Sequence, residues 1–271
     1  MKLTIMGSGT SHGMPVIACD CEACKSKDPK DNRMRSSALI QDDKTCIVID
    51  TGPEFRIQAL RFGIKKLDAV LVTHSHADHI HGLDDIRVFS KEKSVPIYSN
   101  AQTLADIRNR FDYIFKCTQK GGGKPHVELF DVKNYTPSNP LVINSISLVP
   151  IPMKHGCLDS TGWRIGNTAY LTDLNYLPEQ SLQMLDGIEN LVIDGLRERP
   201  HTTHFNFDEA LQVVSKTTAK NVWLTHLTHD FKNEQLKTLF AQKKETLALP
   251  SLLNRNIEPA YDGLVINVEN A

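Results

Sequence analysis

Within Thr73-His74-Ser75-His76-Ala77-Asp78-His79, three imidazoles and a carboxylate fall within six residues. His74 and His76 are two apart, so an extended chain projects them to the same side. Asp78 and His79 follow where a helix is predicted over 78–89, and from there they can point back into the same pocket. Imidazole nitrogen mixed with carboxylate oxygen suits zinc, manganese or iron. A polar loop that is His-rich by accident is the bland alternative, and four ligand-type side chains at this spacing argue against it. A second concentration is Cys19-Asp20-Cys21-Glu22-Ala23-Cys24. Its three thiols from one compact loop match structural zinc chemistry with one ligand missing, against the alternative of unrelated thiols in a polar loop.

Strands must position these groups. The apolar run Ala69 to Val72 reads as a buried strand, so the His-rich segment begins where a strand gives out. The same placement recurs along the chain. Asp50 closes the strand Thr45 to Ile49, hairpin-paired with Ser37 to Ile40. It is either a helix-start cap or a carboxylate that orients a metal-bound histidine. His155 follows a strand ending near Pro152. Asp173 lies at the end of Thr168 to Leu171, which pairs with Gly162 to Ile165 across Gly166-Asn167. His226 ends Asn221 to Leu224, and a further strand, Leu191 to Ile193, terminates at Asp194-Gly195 with no role read for it. Helices are predicted over 54–62, 101–110, 177–185, 207–215 and 231–242. Cys46, inside a strand, reads as plain core. Gly121-Gly122-Gly123-Lys124 lacks the spacing of a phosphate-cradling loop and reads as an exposed loop at the mouth of the site. Strands followed by helices, twice over, suit two sheets packed face to face with helices outside.

The bulk numbers exclude more than they assign. A chain of 271 residues buries a core without disulfide support. Its net charge of −1 gives no general attraction to nucleic acid or to a membrane. Met1 to Gly9 reads as a first strand, not a signal peptide, and no apolar run approaches spanning length, so a cytoplasmic protein is expected. Six cysteines in a reduced chain point to metal or burial before disulfides.

His74-x-His76-x-Asp78-His79 resembles the H-x-H-x-D-H signature of the metallo-β-lactamase fold hydrolases. That resemblance implies an α/β fold of the αββα sandwich type, with residues 1–271 as one hydrolase domain. It implies a first metal held by His74, His76 and His155, a second held by Asp78, His79 and His226, and Asp173 bridging them. All these positions are filled. Two divalent ions, zinc or manganese with iron as a further option, would lie about 3.5–4 Å apart, lower the pKa of a water held between them and clamp the attacked group.

His229 lies three residues past His226, too close for both to serve one metal, which leaves His229 free to complete a structural zinc with Cys19, Cys21 and Cys24 in a loop at about 19–35. The run Gly9-Thr10-x-x-Gly13-x-Pro15, the cysteine cluster and His226-x-x-His229 together resemble the PhnP-type branch. Those enzymes are phosphodiesterases acting on five-membered cyclic ribose phosphates. The resemblance makes His204 the general acid that works with Asp78 and the metal ligands, with His201 its rival. His12, His81 and His126 read as surface or core residues. Arg35, Arg197 and Arg199 are candidates to meet a phosphate. The expected substrate is a small phosphodiester, with no membrane and no long nucleic acid as partner. Relatives often pair as homodimers, although nothing in the sequence marks an interface. A ribonuclease Z-like reading expects a long basic arm that is not visible. A PqqB-like reading shares the cysteine cluster but not the need for a complete ligand set.

Overall fold

Side chains alternate along each strand, and here both faces of most strands are apolar, so every strand needs cover on two sides. The structure, a computed structural model, describes residues 1–116 and 123–269. The first sheet contains β1 (Lys2–Gly7), β2 (Ser37–Gln41), β3 (Cys46–Ile49), β4 (Ala69–Leu71), β5 (Val95–Ser99) and β6 (Val127–Asp131). The second contains β7 (Leu141–Ile143), β8 (Ile146–His155), β9 (Leu158–Ile165), β10 (Thr168–Leu171), β11 (Asn190–Asp194), β12 (Asn221–Thr225) and β13 (Asn256–Pro259), and β14 (Val265–Asn267) returns to the first. The strand orders are β14-β1-β2-β3-β4-β5-β6 and β13-β12-β11-β10-β9-β8-β7.

The alternation sorts the core into layers. On β3, Ile47 and Ile49 face the other sheet and pack with Trp163, Ile165 and Tyr170. Cys46 and Val48 face outward against Phe55, Ile80 and Ile107. On the second sheet, Leu171, Ile193 and Leu224 face outward against Phe207, Leu211 and Phe240. Helix, sheet, sheet, helix is the αββα sandwich that the resemblance implied. Cys46 is plain core, its thiol pushed up to about 11 by burial. No helix among the described residues is long and apolar enough to cross a membrane.

The two sheets bring their working ends to one edge. β3, β4 and β5 run parallel, as do β10, β11, β12 and β13. In such sheets ligands gather beyond the carboxyl ends of the strands. Parallel register sets Leu171 beside Ile193 and Asp194 beside Thr225, so Asp173, Asp194 and His226 leave the sheet near one another.

Several expectations are corrected. The helix expected over 78–89 is a single turn, Ala77–Ile80, followed by a 3₁₀ segment, Leu83–Val88. Gly82 interrupts it because its amide donates to Thr51 O (2.8 Å) and a Cβ there would collide with Gly52 O. The strand ending near Pro152 continues to His155, which is its last residue. Pro150 and Pro152 are tolerated because β7 pairs only as far as Leu148, leaving that side of β8 without ladder partners that need an N–H. The short strands β7 and β13 were not foreseen, the latter being an edge strand that can carry Pro259. The helix expected over 177–185 spans Glu179–Gln183, and that over 231–242 spans Asn233–Thr246. The helix Ala101–Arg110 is followed by a further helical turn, Asp112–Phe115, which was not foreseen. Gly121 and Gly122 lie outside the described residues.

Candidate metal centre and its acid

Asp50, Asp173 and His226 leave their strands with φ of 60°, 59° and 60°. A left-handed conformation at a residue other than glycine costs on the order of 1–3 kcal/mol. Three such residues at one edge mean that the fold bears local strain to aim these side chains inward. Nothing in the sequence signals it.

His74, His76 and His155 bring one ligand atom each to within 4.8 Å of one another, and so do Asp78, His79, Asp173 and His226. Asp173 lies between the two groups. Its Oδ1 is 3.2 Å from His226 Nε2 and 3.8 Å from His74 Nε2, and its Oδ2 is 3.3 Å from His79 Nε2. Burial alone would raise the Asp173 carboxyl, but the surrounding imidazoles hold it well below the usual carboxylate range. Asp78 is likewise held low against its burial, chiefly by His79. His74 is pushed well below the ordinary imidazole value by burial, and His155 to about 4 for the same first reason. Both are therefore neutral at pH 7, the form that ligates.

These side chains fit a divalent pair. Nε2 of His74, Nε2 of His79 and both ring nitrogens of His226 are buried with no hydrogen-bond partner among the described residues. Unpaired buried polar atoms are costly, and here they converge with two carboxylates on one small volume. The opposite ring edges of His79 and His155 are tied down, as second partners of metal-binding histidines generally are. His79 Nδ1 meets Asp50 Oδ2 at 2.7 Å, and His155 Nδ1–H donates to Thr203 O at 2.6 Å. Asp50 also accepts from Thr73 N and Thr73 Oγ1, both at 2.8 Å. Of the two readings of Asp50, the structure places it on His79 and not on a helix start.

His204 enters from the loop after β11. Its Nδ1 meets Asp194 Oδ2 at 2.7 Å, its Nε2 lies 4.0 Å from Asp173 Oδ1, and its ring stacks on His226 at 4.7 Å. Burial lowers its basicity, but Asp194 more than offsets this and pushes it up to about 9. Asp194, whose Oδ2 also accepts from Leu174 N (3.0 Å), was not singled out in the sequence. An aspartate closing a strand ten residues before a histidine carries no local signal of the pairing. His201 instead accepts at Nδ1 from Thr203 N (3.3 Å), turned back into its own loop.

The cysteine loop forms a separate cluster. Sγ of Cys19, Cys21 and Cys24 each lie 3.4 Å from His229 Nδ1. A tetrahedral zinc with Zn–S of about 2.3 Å and Zn–N of about 2.0 Å sets its sulfur and nitrogen ligands roughly 3.5 Å apart, so these residues fit it. The backbone N–H of Cys24 and then His229 lower the Cys21 thiol to about 6, while burial first pushes Cys24 up to about 11.

The remaining candidates do not join either cluster. His12, His81 and His126 are exposed, with His81 set edge-on to Phe111. Arg35 donates to Ser11 O and pairs with Glu54, Arg199 pairs with Asp230 at 3.7 Å, and Arg197 donates to Pro200 O.

Comparisons with known proteins agree with this fold. The family described as "Beta-lactamase superfamily domain" matches residues 45–227. A crystal structure described as a new diphosphatase from the PhnP family is 38% identical, with a TM-score of 0.84 over 99% of this chain and 98% of that one. A Porphyromonas gingivalis protein named octanoyltransferase is 37% identical over 231 residues, 84% of this chain. The chain spans about half the length of that relative (46%). Zinc-bound PqqB from Methylobacterium extorquens shares the fold alone, at 14% identity and a TM-score of 0.74 over 99% of this chain and 100% of that one. The chain belongs to the metallo-β-lactamase superfamily and, within it, to the PhnP family of metal-dependent hydrolases.

Proposed function

We propose that the chain hydrolyses small phosphodiesters, cyclic ribose phosphates foremost, with His74, His76 and His155 holding one divalent ion, Asp78, His79 and His226 a second, and Asp173 both. Such a pair, when bound, supplies an acidified water and polarises a phosphoryl oxygen. The chain's own residues do the rest. Asp50 and Thr203 O fix the rings of His79 and His155. His204 donates to Asp194 through Nδ1, which leaves the Nε2 proton facing the reacting group. As water oxygen bonds to phosphorus and the ester P–O bond breaks, that proton passes to the departing alkoxide. A cyclic ester thereby opens to a monoester carrying a free hydroxyl.

The His204–Asp194 pair carries this reading. An alkoxide leaving group needs a proton, whereas the phosphate leaving group of a diphosphate is already acidic. A histidine with its own buried carboxylate therefore favours an ester over the diphosphate that the 38% identical relative is named for. The octanoyl chemistry named for the Porphyromonas gingivalis relative belongs to a protein of about twice this length.

His204→Ala should lower turnover of alkyl diesters about 10²–10⁴-fold while sparing bis(p-nitrophenyl) phosphate far more. Equal losses on both would remove the acid role. Asp173→Ala should abolish turnover of both esters. A panel of 1,2-cyclic ribose phosphates, 2′,3′-cyclic nucleotides, diphosphates, pre-tRNA and an octanoyl thioester then ranks the classes by kcat/KM. Preference for any class but the cyclic diesters refutes the substrate assignment.

A further inference from the structure

One half-buried side chain touches both loops that frame the site. Asn175 Oδ1 accepts from Gly156 N at 2.7 Å, and Asn175 Nδ2 donates to Thr202 O at 3.0 Å. The two contacts need opposite polarity, so the amide has only one orientation that serves both. Gly156 follows His155, and Thr202 stands two residues before His204. The same two loops meet twice more. His155 Nδ1–H donates to Thr203 O, and Gly156, at φ 60°, lies so close that a Cβ would come within 2.9 Å of Thr203 Cγ2. Asn175 itself follows Asp173 by two residues, and its backbone N–H donates to Lys154 O (2.9 Å).

We propose that Asn175 is a positioning residue that locks the His204 loop to the His155 turn, so that one metal-binding set and the general acid are held as a single unit. The brace acts through geometry, since Asn175 carries no charge and its side-chain contacts are to backbone. Thr203 O can hold the His155 ring only if its loop stays seated, and the same seating sets how far His204 Nε2 stands from Asp173. The leaving-group half of this inference rests on the proposed phosphodiesterase activity. The metal half does not.

The test is a cobalt titration of the chelated full-length protein, read at the two active-site positions, with the thiolate band of the cysteine site as an internal check on folding. Ester turnover is measured on the zinc-loaded protein alongside. Asn175→Ala should weaken binding at one active-site position by about 10–100-fold, the usual cost of losing a group that orients a ligand. It should also lower alkyl ester turnover more than aryl. Asn175→Asp keeps an acceptor for Gly156 N but loses the donor to Thr202 O, so the His204 loop is unseated and both cobalt affinity at that position and the alkyl-to-aryl ratio should fall as in the alanine variant. Wild-type affinity at both positions in the alanine variant, or equal loss on both esters, overturns the proposal. If the alanine variant loses its thiolate band, the aspartate variant decides, and a wild-type alkyl-to-aryl ratio there overturns it. If the unmutated protein cleaves no diester, the functional reading fails and cobalt affinity alone judges the brace.

Discussion

His204 and Asp194 show how one ion pair can set both a protonation state and a fold contribution. In the metal-free protein His204 titrates near 9, above the ordinary histidine value of 6.5, because the pair with Asp194 outweighs its burial. A group raised in the folded state stabilises fully below its unfolded pKa and loses that contribution as pH rises through the folded one. The window is therefore about 6.5 to 9. Across it, the stability advantage of chelated wild type over Asp194→Asn should shrink by about 2–3 kcal/mol, read by urea melts at a series of pH values. A constant difference would mean that Asp194 holds the loop by packing and Leu174 N alone. On the proposed phosphodiesterase reading, the same substitution in the metal-loaded protein should move the alkaline limb of the alkyl-ester pH–rate profile downward by about a unit or more, because the imidazolium loses its counter-charge.

At the scale of elements, two glycines let the His-rich segment dock at all. Thr51 N donates to His79 O and Gly82 N to Thr51 O, both at 2.8 Å, so the turn of Asp78 and His79 lies flat on the loop after β3. A Cβ at Gly52 would strike Asp78 O, and one at Gly82 would strike Gly52 O. Gly82→Ala should cost about 1–3 kcal/mol through forced displacement, roughly 2–4 °C in Tm per kcal/mol, and lower metal content at the active site as Asp78 and His79 shift. Full metal content with unchanged Tm would show that the turn can give way. The same contact explains why a helix over 78–89 was legible in the sequence yet absent from the fold. Its apolar spacing is real, but backbone crowding stops it at Gly82. What periodicity and turn chemistry do carry came through well: the hairpin at Gly166-Asn167, the helix Phe207–Ser215 and most strands appear close to where they were expected. Left-handed backbone at Asp173 and His226, and the pairing of Asp194 with His204, are set by contacts between distant segments, so no local pattern announces them.

Across the whole molecule, the proposed zinc of the cysteine loop would fasten one sheet to the other beside the site. β1 belongs to the first sheet and β12 to the second, and their ends interlock: Leu227 N donates to Ser8 O at 3.0 Å and Thr10 N to Leu227 O at 3.2 Å. The thiols hang from the chain leaving β1, and His229 hangs from the chain leaving β12, three residues beyond His226. A metal joining them would close a loop of more than two hundred residues, so its binding free energy becomes resistance to separation of the sheets at the edge where His226 stands. Cys21→Ser should therefore lower Tm and also weaken the active-site position that His226 serves. The position proposed for His74, His76 and His155 should be less affected, because those residues come from the ends of β4 and β8 and not from the chain leaving β1 or β12. Zinc titration of the variant against wild type, with thermal melts at fixed metal concentration, would show the two positions diverging by about tenfold. If the two positions weaken together, the clamp supports the fold generally; if neither changes while Tm falls, the edge carrying His226 holds its shape without it, and the coupling between the two metal centres is refuted.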